Sequence, residues 1–388
     1  MPPAARSGKG PITALTNAAH RLGNFWERVS EGLAIQTLWS QFFSEAHTSY
    51  SLYQREVDWD ALRHESRFHR LLIISRVLFW AMLMKLSPAR RVFLLLILLL
   101  LVCFALNIRP AWVPREAEFL MTIGGLVFLL ALELADRVTM KRDLEIARDI
   151  QHWLVPQSAP HVPGVDIAFS YRPANTVGGD YYDAFLLDGT AALSAPQRLL
   201  LVVADVAGKS VPAALLMATF QASLHTLASA ALPLAELVAR MNDYACAHSL
   251  GGRRFTTAFF AEFDPATHTL SYIRAGHNLP VLRRSSGELE RLEAGDLPLG
   301  IKPARHFTPS SATLWPGDLL IIFSDGVIEA VNDHDEEFGE PRLLKILQSV
   351  PAESATATLE RLTAALADFM GTARQHDDIT WLIVRVDQ

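Results

Sequence analysis

Leu199–Leu216, "LLLVVADVAGKSVPAALL", decides how the chain is read. An apolar run stops at an aspartate, a short turn carries Gly208, Lys209 and Ser210, and a helix-like segment follows. Strand, then "GKS", then helix is the outline of a phosphate-cradling P-loop. That motif needs a glycine five residues before the glycine of "GK", so that backbone amides can wrap the phosphates. Val203 holds that place, and Asp205 stands where a phosphate would lie and would repel it. A carboxylate at the end of a buried strand suits a hard cation better. That reading requires partner carboxylates elsewhere in the chain.

Four acidic segments supply them. "VGGDYYD" carries Asp180 and Asp183, "VVADVAGKS" Asp205, "IIFSDGVIEA" Asp325 and Glu329, and "RQHDDITWLIV" Asp377 and Asp378. Each reads as a turn, and three adjoin a strong apolar strand. Any one aspartate is ordinary turn chemistry; their recurrence at strand ends is the signal. Like charges gathered in space are costly unless cations neutralise them. An all-oxygen set without Cys or His favours Mg²⁺ or Mn²⁺ over zinc.

The surrounding pattern is that of an α+β domain. "VDIAFSYRP", "LLLVVADV", "TTAFFAEFD", "TLSYIRAG", "DLLIIFSDG" and "ITWLIVRV" read as short strands joined by hairpin-like turns, hence largely antiparallel sheet. Helices are expected over Pro212–Ala231, Leu234–Ser249 and Ser354–Met370, with Ser210 as the N-cap of the first.

The amino-terminal third differs. Half of the 388 residues are hydrophobic, and the excess lies here. "VFLLLILLLLVCFAL", Val92–Leu106, and "FLMTIGGLVFLLAL", Phe119–Leu132, are unbroken apolar runs. Each is shorter than the about 20 residues that span a bilayer, and either alone reads as a buried helix. Together, separated by "NIRPAWVPREAE" with Trp112 at an interface, they read as a membrane hairpin with spans at about 92–108 and 119–134. Arg90 and Arg91 before the first run, and Arg137, Lys141 and Arg142 after the second, place both ends in the cytoplasm, hence a plasma-membrane location. Residues 71–86 read as an interfacial helix or a third, poor span within a membrane-associated region 71–134. Residues 1–70 carry no motif. Met140, Leu144, Ala147, Ile150 and Leu154 form a helical apolar stripe over a linker helix, 135–156. That stripe either packs on its own domain or makes a dimerising coil. The net charge of −6 gives no nucleic-acid surface, and two cysteines make no disulfide framework or zinc site.

From residue 147 to 386 the segments "ARDIQHWLVPQ", "YRPANTVGGDYYDAF", "VADVAGKSVPAALLMA", "FTTAFFAEFD", "LSYIRAGHNLP", "LPLGI", "PGDLLIIFSDGVIEAVN", "EEFG" and "HDDITWLIV" occur in order. Together they resemble the metal-dependent Ser/Thr protein phosphatases of the PPM superfamily, in the bacterial SpoIIE/RsbU-type branch. The resemblance covers 157–388 and its approach helix, and not residues 1–135. It implies an α-β-β-α sandwich with two metal ions, Mn²⁺ or Mg²⁺, at one end. It implies Asp205 bridging the two, Asp180 and the Val206 carbonyl completing one metal, and Asp325 and Asp377 holding the other. A water activated by the two cations would attack a phosphoserine or phosphothreonine of a regulatory phosphoprotein, such as an anti-anti-sigma protein of the STAS type. Asp183, Asp378 and Glu329 are expected in turn or supporting places. Lys209 is either a phosphate contact or a solvated turn lysine. Ala207 stands where animal and plant members of the superfamily have a histidine, and no phosphate-binding arginine is identifiable. His277 is expected to be structural. The rival reading is a catalytically silent signalling scaffold that keeps the fold.

Overall fold

A computed structural model describes residues 69–387 apart from 70–72, 75, 78, 81, 82, 85, 109–113, 188–197, 249–253 and 350–352. Residues 1–68 and the loop with Arg109 and Trp112 thus lie outside the described residues. The chain divides into two compact units, Met1–Ala135 and Asp136–Gln388.

In the first unit, α1 (Pro88–Ala105) runs antiparallel to the first half of α2 (Arg115–Leu154). Arg90 pairs with Glu133 at 3.3 Å, and the Phe93 ring meets Phe128 edge-on at 5.8 Å. Ile97 lies so close to Gly125 that a Cβ there would stand 3.0 Å from it. Phe104 meets Phe119 at 5.8 Å. This ladder makes a helical hairpin. Its outward side chains, among them Leu96, Leu99, Phe128 and Leu130, have no protein cover. Both helices are long and apolar enough to cross a membrane by length and composition. The hairpin helix and the linker helix read separately from the sequence are one helix, α2, which ends at Leu154 ahead of Pro156. Arg115, Glu116 and Glu118, assigned to the loop by sequence, already belong to it. The described residues between 73 and 84 are helical, and Leu86 and Ser87 are not.

The second unit is built on two five-stranded antiparallel sheets. One has the order β1 (Val165–Arg172), β10 (Ile379–Val386), β9 (Leu319–Phe323), β6 (Val281–Arg283), β7 (Leu289–Arg291). The other runs β2 (Asp180–Leu187), β3 (Arg198–Val206), β4 (Thr256–Asp264), β5 (Thr269–Ala275), β8 (Ser310–Thr313). Side chains alternate faces along a strand, and the cores follow that period. Leu320, Ile322, Leu382 and Val384 enter the core between the sheets. Leu319, Ile321, Phe323, Trp381 and Ile383, one residue out of phase, enter a second core. That second core is closed by α6 (Gly339–Ser349) and α7 (Ala355–Met370). On the far face, α3 (Ser210–Ala228) covers β2 and β3, and α4 (Leu234–Ala247) covers β4 and β5. The layering is α-β-β-α, as the resemblance implies. Because both faces of β9 and β10 are covered, their sequences are unbroken apolar runs without alternation.

By composition α3 would also qualify as a membrane span. Ala213, Met217, Phe220 and Leu224 are instead buried against the sheet, so it is a core helix of the domain. Its start differs from the sequence expectation. The turn from β3 into α3 puts Ser210 in the left-handed region (φ 62°), so Ser210 opens the helix. Lys209 holds the extended residue before it, and no side chain caps the end.

Leu382→Ala and Ile383→Ala point at different cores, so each is expected to destabilise the domain by about 2–5 kcal/mol in chemical denaturation. If only one of the pair costs stability, one face of the sheet is open and the layering is wrong.

Candidate metal centre

Antiparallel register gathers the acids. In the first sheet the end of β9 lies beside the start of β10, with Phe323 opposite Trp381. In the second, the start of β2 lies beside the end of β3, with Asp180 directly opposite Asp205. Asp325 follows β9 by two residues as the first residue of the one-turn helix α5 (Asp325–Ile328), and Asp377 precedes β10 by two. β10 and β2 are in contact across the sandwich, so all four ends meet at one edge. Sequence reading takes "GGDYYD" as a turn. It is instead the entry into a buried strand, because Tyr181 packs on Phe220 of α3 and Tyr182 on Phe169 and Tyr171 of β1.

Local contacts fix each carboxylate. Thr380 Oγ1 donates a short hydrogen bond to Asp180 Oδ2. Ser324 Oγ donates to the Asp378 carbonyl at 3.0 Å and accepts from Thr380 N–H at 3.0 Å, which ties β9 to β10 just below Asp325 and Asp377. Gly326 permits this crossing, since a Cβ there would stand 2.1 Å from the Asp378 carbonyl oxygen. Lys209 Nζ bonds Asp377 Oδ2 and the His376 carbonyl, both at 2.9 Å. Lys209, half-exposed beside the cluster, is thus a counter-ion to Asp377.

Like charges under partial burial raise the acids' proton affinity. Asp180 is 2% exposed. Its carboxyl is pushed well above the ordinary range by burial and then by the charges of Asp205 and Asp378, against the hydrogen bond from Thr380. Asp205 is pushed up to about 7 by burial and by the charges of Asp325 and Asp377; its hydrogen bond with Asp180 opposes this. Both facing carboxyls therefore hold a proton more readily than an ordinary carboxyl does. Asp325 is raised by burial and by Asp377. Glu329 is exposed at the end of α5, and burial followed by the charges of Asp325 and Asp377 raises it as well. Its carboxyl thus senses the cluster from the solvent side.

Asp378 and Asp183 part from the cluster for different reasons. The Asp378 carboxylate accepts from Ala174 N–H at 2.8 Å and from Gly179 N–H at 2.6 Å. Its role is to hold the segment before β2. Asp183 lies three residues after Asp180, so alternation turns it to the opposite face of β2. There it accepts from Tyr181 Oη and bonds His225 Nε2 at 2.8 Å on α3. The sequence reading gave it a turn or supporting place; its strand phase puts it on the face of β2 turned to α3. His277 is buried, 3.3 Å from Thr257 Oγ1, and burial pushes its pKa down to about 4, so it is a neutral structural side chain.

Sequence reasoning missed three residues here. Arg254 Nη1 donates to the Ala207 carbonyl at 2.7 Å and lies across Gly208, where a Cβ would meet it at 1.9 Å. Thr380 shares the strand phase of Asp378, a period-two signal visible in "DDITW". Gln151 carries no signal beyond a polar place in the stripe of α2.

Among the described residues no three His, Cys, Asp or Glu side chains stand as a formed metal cage. The carboxyls instead engage one another, Thr380 and Lys209. The donor set nonetheless fits a hard divalent cation. It is all oxygen, it is partly buried, and Lys209 is the cation bonded to it. At its centre lies a cradle that a side chain would fill, since a Cβ on Gly179 would stand 2.9 Å from the Val206 carbonyl oxygen and 3.6 Å from Asp205 Oδ1.

Comparison with known proteins agrees with this fold. The α+β sandwich is a PP2C-like phosphatase fold: the SiaA-PP2C domain of Pseudomonas aeruginosa superposes with a TM-score of 0.57 at 21% identity, over 65% of this chain and 99% of that one. Residues 195–387 match the family of Stage II sporulation protein E, SpoIIE. Protein IcfG of Synechocystis sp. is 30% identical over 282 residues, covering 66% of this chain and 43% of that protein. Phosphoserine phosphatase RsbU of Bacillus subtilis is 26% identical over 247 residues, covering 63% of this chain and 70% of its own. The carboxy-terminal domain thus carries a SpoIIE-type match, with a phosphoserine phosphatase among its relatives. The chain spans less than half the length of IcfG.

A raised carboxyl pKa in the fold, against about 3.9 unfolded, stabilises the native state fully below about pH 4, and this stability is lost as pH rises toward 7. In chelator, the melting temperature of the Asp136–Gln388 unit within the whole chain is expected to fall from pH 5 to pH 7.5. Asp205→Asn should lessen that fall and raise the melting temperature at pH 7.5. An unchanged slope in Asp205→Asn contradicts the electrostatic reading.

Proposed function

We propose that the chain is a membrane-anchored, divalent-metal-dependent phosphoserine/phosphothreonine protein phosphatase. The observation that carries this reading is the pairing of Asp180 with Asp205 across β2 and β3, under the charges of Asp325 and Asp377. Asp180, Asp205, Asp325, Asp377 and the Val206 carbonyl are the ligands, and two cations, Mn²⁺ or Mg²⁺, suit the span of five oxygen donors. Cations bound there supply an attacking water of lowered pKa and offset the charge on the phosphoryl oxygens.

The chain's own residues do the rest. Asp180 and Asp205, whose proton affinity is raised, ligate in their deprotonated form. Asp378 keeps its oxygens on backbone N–H groups and so orients rather than ligates. Lys209 holds Asp377 and adds positive charge beside the incoming phosphate. Ala207 has no proton to give, so the departing serine or threonine oxygen takes its proton from solvent. No cysteine or serine nucleophile is needed, and Cys246 lies on α4, away from the aspartates in sequence and element.

The hairpin of α1 and α2 is the anchor. The basic residues at its two ends, Arg90 and Arg91, then Arg137, Lys141 and Arg142, put the catalytic domain in the cytoplasm at the plasma membrane. The substrate is a regulatory phosphoprotein; the likeness to phosphoserine phosphatase RsbU supports a STAS-type anti-anti-sigma protein. The exposed apolar residues of the second half of α2, Val138, Met140, Ile146 and Ile150, support a homodimer through that helix.

Asp205→Asn tests the enzyme. Release of phosphate from a phosphoserine protein should require Mn²⁺ or Mg²⁺. The variant should lose more than the about 10–100-fold typical of residues that only support a ligand. If the wild-type chain releases no phosphate and Asp205→Asn retains the cellular effect, the chain is a scaffold; if Asp205→Asn retains the release, Asp205 is not a ligand. A second measurement tests the anchor: the chain should stay in the membrane pellet through an alkaline carbonate wash, and its release into the supernatant contradicts the hairpin.

A further inference from the structure

The segment that delivers Asp180 is gripped from two sides. Asp378 holds the backbone N–H of Gly179 and Ala174. From the other side, the side-chain amide of Gln151 spends both of its ends on one residue. Its Nε2 donates to the Gly178 carbonyl at 2.8 Å, and its Oε1 accepts from the Gly178 N–H at 3.2 Å. The two bonds together fix where Gly178 lies and how its peptide is turned.

Gln151 is 5% exposed, while Trp153 two places on is 83% exposed. It is the polar residue on the inward side of the last turns of α2. An apolar side chain there would leave the buried N–H and carbonyl of Gly178 without these partners, so the amide is at this place to serve that one peptide. Gly178 also has no room to adjust. A Cβ there would stand 2.1 Å from Asp378 Oδ2 and 2.2 Å from Tyr171 Oη. The glycine is wedged between the Asp378 carboxylate, the Tyr171 hydroxyl and the Gln151 amide, two residues before Asp180.

We propose that Gln151 is a positioning residue for the metal centre. Its amide sets the height and rotation of the Gly178 peptide, and through it the direction in which Asp180 meets Asp205. The last turns of α2 thereby become an element on which the geometry of the aspartate cluster depends. A slide or rotation of α2 withdraws the amide and frees the segment. The inference rests on the reading of Asp180 as a metal ligand, while the grip itself rests on the hydrogen bonds.

The test uses the purified full-length chain with Gln151→Leu, which keeps size and removes both bonds, and Gln151→Glu, which keeps only the acceptor. Trp153→Ala, on the same turn, is the control. Amide hydrogen exchange over 177–181 is read in chelator, and the Mn²⁺ concentration at the midpoint of thermal stabilisation is read separately. Gln151→Leu should quicken exchange over 177–181 by about tenfold while the interior of β3 is unchanged. It should raise the Mn²⁺ midpoint about 10–100-fold, the usual effect of removing a residue that orients a ligand. Gln151→Glu should fall between Gln151→Leu and wild type, and decides the matter if Gln151→Leu does not fold. Trp153→Ala should match wild type in both. Wild-type exchange in Gln151→Leu, or faster exchange with an unchanged Mn²⁺ midpoint, overturns the proposal. If the wild-type chain shows no Mn²⁺ stabilisation at all, the metal reading of the site has failed. The exchange comparison then still decides whether the amide holds the segment.

Discussion

Repulsion among carboxylates brought together at the edge of a sandwich is the constraint on which this structure turns. Bringing Asp180, Asp205, Asp325 and Asp377 to one place costs free energy that nothing in their own chemistry returns. The fold absorbs that cost by raising proton affinity, so that Asp205 reaches about 7, and by setting Lys209 against Asp377. Such an arrangement is poorly suited to a protein that only needs stability. Neutral residues at these strand ends would pack with less strain. The cluster makes sense as a place prepared for positive charge.

Everything around the cluster serves to hold its backbone against that repulsion. Both sheets are buried on both faces, so the strands that end at the acids are among the stiffest segments of the domain. Ser324 and Thr380 lock β9 to β10 at the last possible residue before Asp325 and Asp377. Arg254 closes over the turn after Asp205, through the Ala207 carbonyl. Asp378 gives up its own chance to ligate and fastens the approach to Asp180. Rigid strands with hydrogen-bonded supports are the usual means of holding first ligands in place.

Most of the layering was legible in the sequence because burial leaves a strong trace. The long strands β1, β3, β4, β5, β9 and β10 are apolar runs bounded by turn residues, and the structure keeps them nearly residue for residue. β6, β7 and β8 span only three or four residues each, too short for any period to show. β2 was taken for a turn because its glycines and aspartates mask its tyrosines. Of the candidate site residues, Asp180, Asp205, Asp325 and Asp377 meet at one edge, as strand-end aspartates should. Asp183 does not, since one residue of strand phase sends it to His225 on the other side of the sheet. Lys209 was legible as a residue beside the site, but its partner Asp377 lies far along the chain. Gln151 was not legible: hydrophobic periodicity records which residues of a helix are apolar, and is silent on a lone amide in the buried row.

The central claim is that these oxygens were gathered to hold divalent ions. Calorimetric titration of Mn²⁺ or Mg²⁺ into the folded full-length chain near pH 6.5, repeated in buffers of different ionisation heat, measures that directly. The account predicts saturable binding accompanied by proton release, because Asp205, raised to about 7, must be deprotonated to ligate. Heats that show no saturable site, or binding of the same affinity in the Asp205→Asn chain, would contradict it.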